Sequence, residues 1–205
     1  MLKDLKATHV VTGFDFVFGN RQTGNVSVLK DFCKSSKNLE FTEIEEKKMD
    51  DSEVSSSFVR DLLRKGEIQR ANKILSRKWT VVGRVLKGDK KAREFGFKTA
   101  NMNINSYCDI CYGVYSVLIK LPEEISNKKF YGIANYGVKP TFLKKTPMLE
   151  VHIFDFSKEI YGKKIQVSFL KFIRKEKKFE SVEKLKDQII KDIKLVKKNG
   201  TLRNN

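Results

Sequence analysis

The sequence predicts a mainly β C-terminal domain that closes into an antiparallel barrel, preceded by a shorter α/β segment. Five segments rich in β-branched and aromatic residues follow position 78 and are separated by turn residues. These segments are WTVVGRVL, YGVYSVLIK, KFYGIANYG, LEVHIFDF and IQVSFLKFIR, and a shorter strand is predicted after Thr99. Because no helical pattern interrupts them, a closed antiparallel barrel is favoured over alternating strands and helices.

A helix is predicted at the C-terminal end of this barrel domain. Apolar residues recur there at steps of three and four, behind the N-cap candidate Ser181 and ahead of Gly200, a predicted stop. The apolar positions are Val182, Leu185, Ile189, Ile193 and Val196. We expect this stripe to pack on the barrel.

The part of the chain before Trp79 predicts an incomplete α/β segment that ends in a helical hairpin. Residues 9–11 predict a buried strand, and a glycine-rich loop follows. Such a strand normally has partners on both sides. Little chain precedes it, so we expect part of this segment to be missing. Serines at 55–57 and two apolar stripes separated by Gly66 predict two helices, which would also form the linker to the barrel.

The charge of the chain limits its expected partners. Lys and Arg total 42 against 25 Asp and Glu, a net charge of +17. This excess attracts anions such as nucleic acid and phosphorylated metabolites, but lysine spread over the whole chain fits a compositional bias equally well. We do not favour nucleic acid as a partner. No apolar run approaches the roughly 20 residues of a membrane span, and no signal-peptide pattern is present, so a cytoplasmic protein without a membrane partner is expected.

The three cysteines are expected to be reduced thiols in that compartment. Cys108 and Cys111 form a C-x-x-C pair, but no second Cys or His pair completes a zinc site. Two ordinary loop residues are therefore favoured over a metal or redox role.

A basic, glycine-containing segment precedes the short strand that starts after Thr99. It is GDKKAREFGFKTANMN, and loops of this type can surround phosphates. Thr99 and Asn101 are two positions apart, so on a strand they face the same side. Their side-chain oxygens are ligands that Mg²⁺ accepts. An ordinary basic turn entering a strand is the alternative interpretation.

The segment LEVHIFDF carries a carboxylate within an apolar strand. Alternation places Glu150, His152 and Phe154 on one face and the aliphatic residues on the other. A carboxylate in such a strand is costly unless it is paired or has a function, and it could take a proton from an alcohol. A sheet with one solvated face explains the same pattern.

These segments, in this order, resemble the riboflavin kinase module of the bacterial bifunctional riboflavin kinase/FMN adenylyltransferase (FAD synthetase) family. The resemblance covers residues 79–197. Its motifs are G-R-V-L-K-G-D (83–89), F-G-F-K-T-A-N (95–101), Y-G-V-Y (112–115), G-I-A-N-Y-G-V-K-P-T-F (132–142), L-E-V-H-I-F-D-F (149–156), I-Y-G-K (160–163) and F-I-R-K-E-K-K-F-E-S (172–181).

The resemblance implies a six-stranded antiparallel Greek-key barrel with a C-terminal helix, preceded by a partial nucleotidyltransferase-like α/β segment. The implied domains are a truncated adenylyltransferase-like remnant with helical linker at 1–78, the riboflavin kinase barrel at 79–198 and a tail at 199–205. The implied activity is transfer of the ATP γ-phosphoryl group to the 5′-hydroxyl of riboflavin, which makes FMN.

The resemblance also implies roles for individual residues. Thr99 and Asn101 would bind Mg²⁺ and the ATP phosphates, and Glu150 would be the general base. Arg174 would lie near the flavin site. The phosphate flap and its neighbourhood would include further nucleotide-binding residues, namely Gly83, Gly88 and Lys90.

Three departures from the family pattern affect this expectation. Lys98 stands where the family usually has proline, so a φ restriction before Thr99 is lost. Ala92 stands where glycine is preferred, and Lys139 stands where arginine is common. We therefore expect a slower or looser phosphate flap.

The N-terminal part resembles the end of the family's adenylyltransferase module. G-F-D-F-V-F-G-N (13–20) and V-S-S-S-F-V-R (54–60) carry this likeness, but the H-x-G-H motif that opens the module is absent. We expect that this chain alone does not adenylate FMN. Two alternatives to a free-standing kinase are one subunit of a two-chain FAD synthetase and a non-catalytic flavin- or nucleotide-binding remnant.

Overall fold

The computed structural model describes residues 5–46, 48–49, 52–87, 97–138 and 146–201. The chain forms two compact units, residues 1–55 and residues 56–205. The sequence grouped the helical hairpin with the first segment, whereas its contacts place the hairpin in the second unit. The boundary of the functional modules at 78/79 stays a prediction.

The first unit contains a parallel pair of strands connected through a helix. Its elements are β1 (His9–Gly13), β2 (Val17–Phe18), β3 (Gly24–Asn25), α1 (Val26–Ser35), β4 (Glu40–Ile44), β5 (Lys48–Met49) and β6 (Ser52–Glu53). β1 pairs with β4 in parallel, and β2–β3 and β5–β6 are antiparallel pairs. Asn25 caps α1, since its Oδ1 accepts a hydrogen bond from the Val28 amide at 3.1 Å.

The predicted strand at residues 9–11 is present, but it is not buried. Val11 is 57% exposed, because among the described residues β1 has one partner strand, β4. Further large apolar side chains of this unit are also exposed, namely Leu5, Phe14, Phe16, Val17, Val28, Phe32 and Ile44. Exposed apolar side chains in this number are unusual for so small a unit.

The second unit begins with the predicted helical hairpin, α2 (Ser56–Lys65) and α3 (Ile68–Ile74). Gly66 separates the helices with a φ of +79°, a conformation that favours glycine. Asn72 joins the hairpin to the barrel, because its amide donates to the Phe169 carbonyl at 2.8 Å and its Oδ1 accepts from the Trp79 amide at 2.6 Å. The hairpin therefore packs as part of the barrel unit.

A closed six-stranded antiparallel barrel follows, as predicted. Its strands are β7 (Thr80–Leu86), β8 (Ala100–Met102), β9 (Gly113–Lys120), β10 (Lys129–Val138), β11 (Pro147–Ile153) and β12 (Lys164–Lys175). Their order around the barrel is β10-β11-β8-β7-β12-β9. β8 thus pairs with β11, which is distant in sequence, and this pairing assembles the candidate site.

Alternating side chains of these strands fill the barrel. The buried inward-facing residues include Val81, Val85, Met102, Tyr115, Val117, Ile119, Tyr136, Leu149, Val151, Ile165, Val167 and Phe169. Burying side chains of this size stabilises the fold by about 1.5–3 kcal/mol each. The intervening side chains point to the outer wall of the barrel.

The C-terminal helix α4 (Val182–Thr201) packs on that outer wall, as predicted. Val196 is buried with Val114, Ile133 and Phe154, and Ile193 packs against the same cluster. Two details differ from the prediction: Val182 is 49% exposed, and the helix continues through Gly200 to Thr201. None of the described helices is long and apolar enough to cross a membrane.

Candidate active site

Three adjacent strands place three polar side chains in one row on the outer wall of the barrel. Asn101 of β8 is directly opposite Glu150 of β11, and Glu150 is directly opposite Asn135 of β10. Their strand neighbours Ala100, Val151 and Ala134 are buried inside the barrel, so these three side chains point outward. Neighbouring strands lie about 4.8 Å apart, which puts the Glu150 carboxylate between two amides.

The row is shielded from solvent to different degrees along its length. Asn101 is 4% exposed, and Glu150 is half-buried with its Oε1 atom inaccessible. Asn135 is half-buried, and its Nδ2 donates to Glu176 Oε1 at 3.2 Å. A half-buried carboxylate between two amides is a candidate general base.

Thr99 lies two residues before Asn101 and connects the row to a cavity of about 130 Å³ at one end of the barrel. The cavity has an apolar floor from inward strand residues, among them Val85, Val151 and Ile153. Its rim is polar and includes Lys98, Ser157 and Lys158. The structure thus brings Thr99, Asn101 and Glu150 into one neighbourhood, beside a polar rim that also includes Glu159.

Gly83 lies in β7 and faces the barrel interior. A Cβ atom on Gly83 would meet Met102 Cε at 2.9 Å, so the absence of a side chain allows close packing of β7 against β8. Packing explains this glycine without a ligand, and its nucleotide-binding role stays a prediction. Gly88, Lys90 and Ala92 lie outside the described residues, as does Lys139.

Arg174 lies further along the same row, since Val114 pairs with both Asn135 and Arg174. Its Nε and Nη2 donate to Asp192 Oδ2 at 2.9 and 2.8 Å, and its Nη1 donates to the Lys175 carbonyl at 3.0 Å. The guanidinium is therefore directed to the C-terminal helix, and its predicted place near the flavin stays a prediction.

Two residues of this region were missed in the sequence. Asn135 was interpreted only as part of a strand leading into a turn, and nothing before strand pairing indicates that it faces Glu150. Asp192 had a signal, because it lies three residues after Ile189 and four before Val196, on the apolar stripe of α4. A charge at such a position indicates a buried partner.

Cys108 of the C-x-x-C pair is half-buried. Burial raises the pKa of the Cys108 thiol, which lowers its thiolate fraction and its reactivity. Among the described residues, no group of three or more His, Cys, Asp or Glu side chains could hold a metal ion. Any cation at the Thr99–Asn101 segment would depend on hydroxyl and amide oxygens.

Comparisons with known proteins agree with the resemblance seen in the motifs. The riboflavin kinase family model matches residues 75–199, and the FAD synthetase family model matches residues 1–58. The bifunctional riboflavin kinase/FMN adenylyltransferase of Buchnera aphidicola subsp. Schizaphis graminum is 38% identical over 97% of this chain and 63% of its own length. The Bacillus subtilis protein of the same description is 37% identical over 92% of this chain and 59% of its own length.

A solved structure has the same fold over nearly the whole chain. A crystal structure described as a macrolide-efflux protein from Streptococcus pneumoniae superposes with a TM-score of 0.83 at 28% identity, covering 96% of this chain and 62% of that one. This chain thus spans less than two thirds of the length of these relatives. The riboflavin kinase match includes the whole barrel, the polar row and most of α4, and the chain belongs to the riboflavin kinase family.

Proposed function

We propose that this chain transfers the γ-phosphoryl group of ATP to the 5′-hydroxyl of riboflavin and so produces FMN. The observation that carries the proposal is the pairing of Asn101 with Glu150 on adjacent strands, with Thr99 two residues earlier. Phosphoryl transfer needs alignment and charge neutralisation more than covalent help from the protein. The row offers groups that could align the acceptor hydroxyl, and a cation held by Thr99 and Asn101 would supply the charge neutralisation.

Glu150 is the proposed general base. One of its carboxylate oxygens takes the proton of the acceptor hydroxyl as the new oxygen–phosphorus bond forms and the bond between the γ-phosphorus and ADP breaks. Asn101 and Asn135 flank Glu150 and present amide dipoles to the reacting hydroxyl. The half-buried setting limits competing water at the carboxylate.

The chain's own oxygen donors fit a hard cation beside this base. The Thr99 hydroxyl and the Asn101 carbonyl oxygen would hold Mg²⁺, whose preferred ligands are oxygens. When bound, the ion neutralises charge on the nucleotide phosphates. The neighbouring cavity is lined by Lys98 and Lys158 and by one acid, Glu159, and this small excess of positive charge favours the same anionic ligand.

The decisive experiment measures FMN formation from riboflavin and ATP by chromatography, with the Glu150→Gln variant as the matched control. Gln keeps the size and hydrogen-bonding capacity of Glu but cannot accept the proton, so a loss of about 10²–10⁴-fold in kcat is expected. Wild-type turnover no faster than that of Glu150→Gln would refute the proposal. Tight FMN binding by calorimetry without any turnover would favour the non-catalytic alternative.

We further propose that FMN adenylation requires a polypeptide beyond this sequence. The exposed apolar residues of the first unit, such as Val11, Phe14 and Ile44, favour this second function, in which a chain carrying the H-x-G-H motif packs on β1 and β4. FAD formation should be absent with this chain and appear when such a polypeptide is added. FAD formation by the chain alone, or no association at micromolar concentration, would contradict this proposal.

A further inference from the structure

The segment before Thr99 is held by two hydrogen bonds that residue 98 makes. The Lys98 carbonyl oxygen lies 2.9 Å from His152 Nδ1, and Lys98 Nζ donates to the Ser157 carbonyl at 3.2 Å. Both partners belong to β11 or to the chain that follows it. Residue 98 is therefore attached through its backbone and through its side chain to the element that carries Glu150.

The ring of His152 is itself held in one orientation. A carbonyl oxygen can only accept, so the hydrogen bond to Lys98 requires a proton on Nδ1. Phe97 packs edge-on against the imidazole with ring centroids 5.5 Å apart, and Phe154 does so at 5.8 Å. Lys197 of α4 lies over the Phe154 ring at 5.2 Å. The imidazole is thus fixed between two aromatic rings, one of which is buried beneath α4.

We propose that His152 is a positioning residue that fixes the Thr99–Asn101 segment through its hydrogen bond to the Lys98 carbonyl. The register supports this, because Ala100 pairs with Val151 and Asn101 pairs with Glu150. The side-chain hydrogen bond from His152 reaches Lys98, two residues before Ala100, so Thr99 lies between two attached residues. The inference rests on the proposed function, since Thr99 and Asn101 are the proposed Mg²⁺ and phosphate ligands.

Two substitutions at position 152 separate the hydrogen bond from the bulk of the ring. In His152→Asn the amide nitrogen is two bonds from Cβ, as Nδ1 is in histidine, so the donor keeps its place. In His152→Gln the amide nitrogen is one bond further from Cβ. His9→Gln, a change of the other histidine, serves as the control in the first unit. Binding of Mg²⁺·ADP is measured by calorimetry, and the KM for Mg²⁺·ATP and kcat are measured separately.

Loss of one neutral hydrogen bond corresponds to about a fivefold change in an equilibrium constant. We expect His152→Gln to weaken Mg²⁺·ADP binding about fivefold and to raise KM with little change in kcat. His152→Asn should remain within twofold of the wild type, and His9→Gln should be unchanged.

Equal affinities for the wild type and His152→Gln would overturn the inference, as would equal weakening by Asn and Gln. These outcomes differ from failure of the proposed function, in which the wild type itself neither binds Mg²⁺·ADP nor forms FMN.

Discussion

Removing the Asp192 carboxylate should strongly destabilise the barrel unit, because this group anchors α4 to the last barrel strand. Its Oδ2 accepts from Arg174 Nε and Nη2 at 2.9 and 2.8 Å, and its Oδ1 accepts from Gln188 at 2.8 Å. The two charged side chains are only 5% and 16% exposed. Among the residues that the structure describes, Asp192 is the one Asp, Glu, Lys or Arg that is buried.

Breaking a buried ion pair from one side leaves the other charge without compensation, which costs about 3–5 kcal/mol. Asp192→Ala should therefore lower the free energy of unfolding by about that amount and the Tm by roughly 10 °C. Asp192→Asn keeps the shape of the side chain and an acceptor oxygen, so it should lower the free energy of unfolding by less than Asp192→Ala does. Asp187→Ala, an exposed acid on the same helix, should change the free energy of unfolding by less than about 0.5 kcal/mol.

Trp79 provides the assay, since it is the single tryptophan and is 7% exposed in the barrel unit. Urea unfolding followed by its fluorescence gives the free energy for each variant. When Arg174→Met is already present, Asp192→Ala leaves no charge unpaired. The loss of unfolding free energy that Asp192→Ala causes should then be smaller by about 2 kcal/mol or more. An Asp192→Ala variant as stable as Asp187→Ala, or a cost unaffected by Arg174→Met, would refute this reasoning.

Three further predictions concern residues inside or at the edge of the barrel. Gly113→Ala should lower the free energy of unfolding, measured by urea titration, by several kcal/mol. Gly113 has a φ of +153°, and an added Cβ would collide with the Arg174 backbone carbonyl. A decrease below about 1 kcal/mol would contradict the described backbone. Burial raises the pKa of Tyr136 from 10.0 to about 12, so the stability that its neutral phenol contributes is complete below pH 10 and is lost as the pH rises through 12. Phenylalanine cannot ionise, so between pH 9 and 12 the free energy of unfolding of Tyr136→Phe should fall by roughly 2 kcal/mol less than that of the wild type. Identical pH dependence of the unfolding free energy in the two proteins would disprove the pKa shift. Gly83→Ala should be nearly neutral for Mg²⁺·ADP binding if Gly83 serves packing, because Met102 Cε can shift, whereas a tenfold loss of affinity would support its predicted nucleotide-binding role.

The elements whose pattern is local could be predicted from the sequence. Alternation in β11 correctly placed the aliphatic residues inside the barrel and Glu150 and His152 on the other face. That face is not uniformly solvated, because α4 covers Phe154, which is buried. Spacing within α4 likewise predicted that Ile193 and Val196 face the barrel.

The contacts that assemble the site could not be predicted, because they depend on which strands pair and in which register. Thr99 and Asn101 were proposed from their residue types, but nothing in the sequence places Asn135 opposite Glu150. Likewise, the buried pair of Arg174 and Asp192 joins residues that lie in different elements. The helical hairpin was assigned to the first segment because helical periodicity does not reveal that Asn72 bonds to the β12 backbone.

The most direct test of the central claim compares binding with transfer in a single variant. Purified wild-type protein and Glu150→Gln are each mixed with Mg²⁺, riboflavin and ATP labelled in the γ-phosphate, and label appearing in FMN is followed alongside Mg²⁺·ADP affinity. The proposed mechanism predicts labelled FMN from the wild type and at least a hundredfold slower transfer by Glu150→Gln, with nucleotide affinity within about threefold. Equal transfer rates in the two proteins would show that the carboxylate between the two amides is not the base.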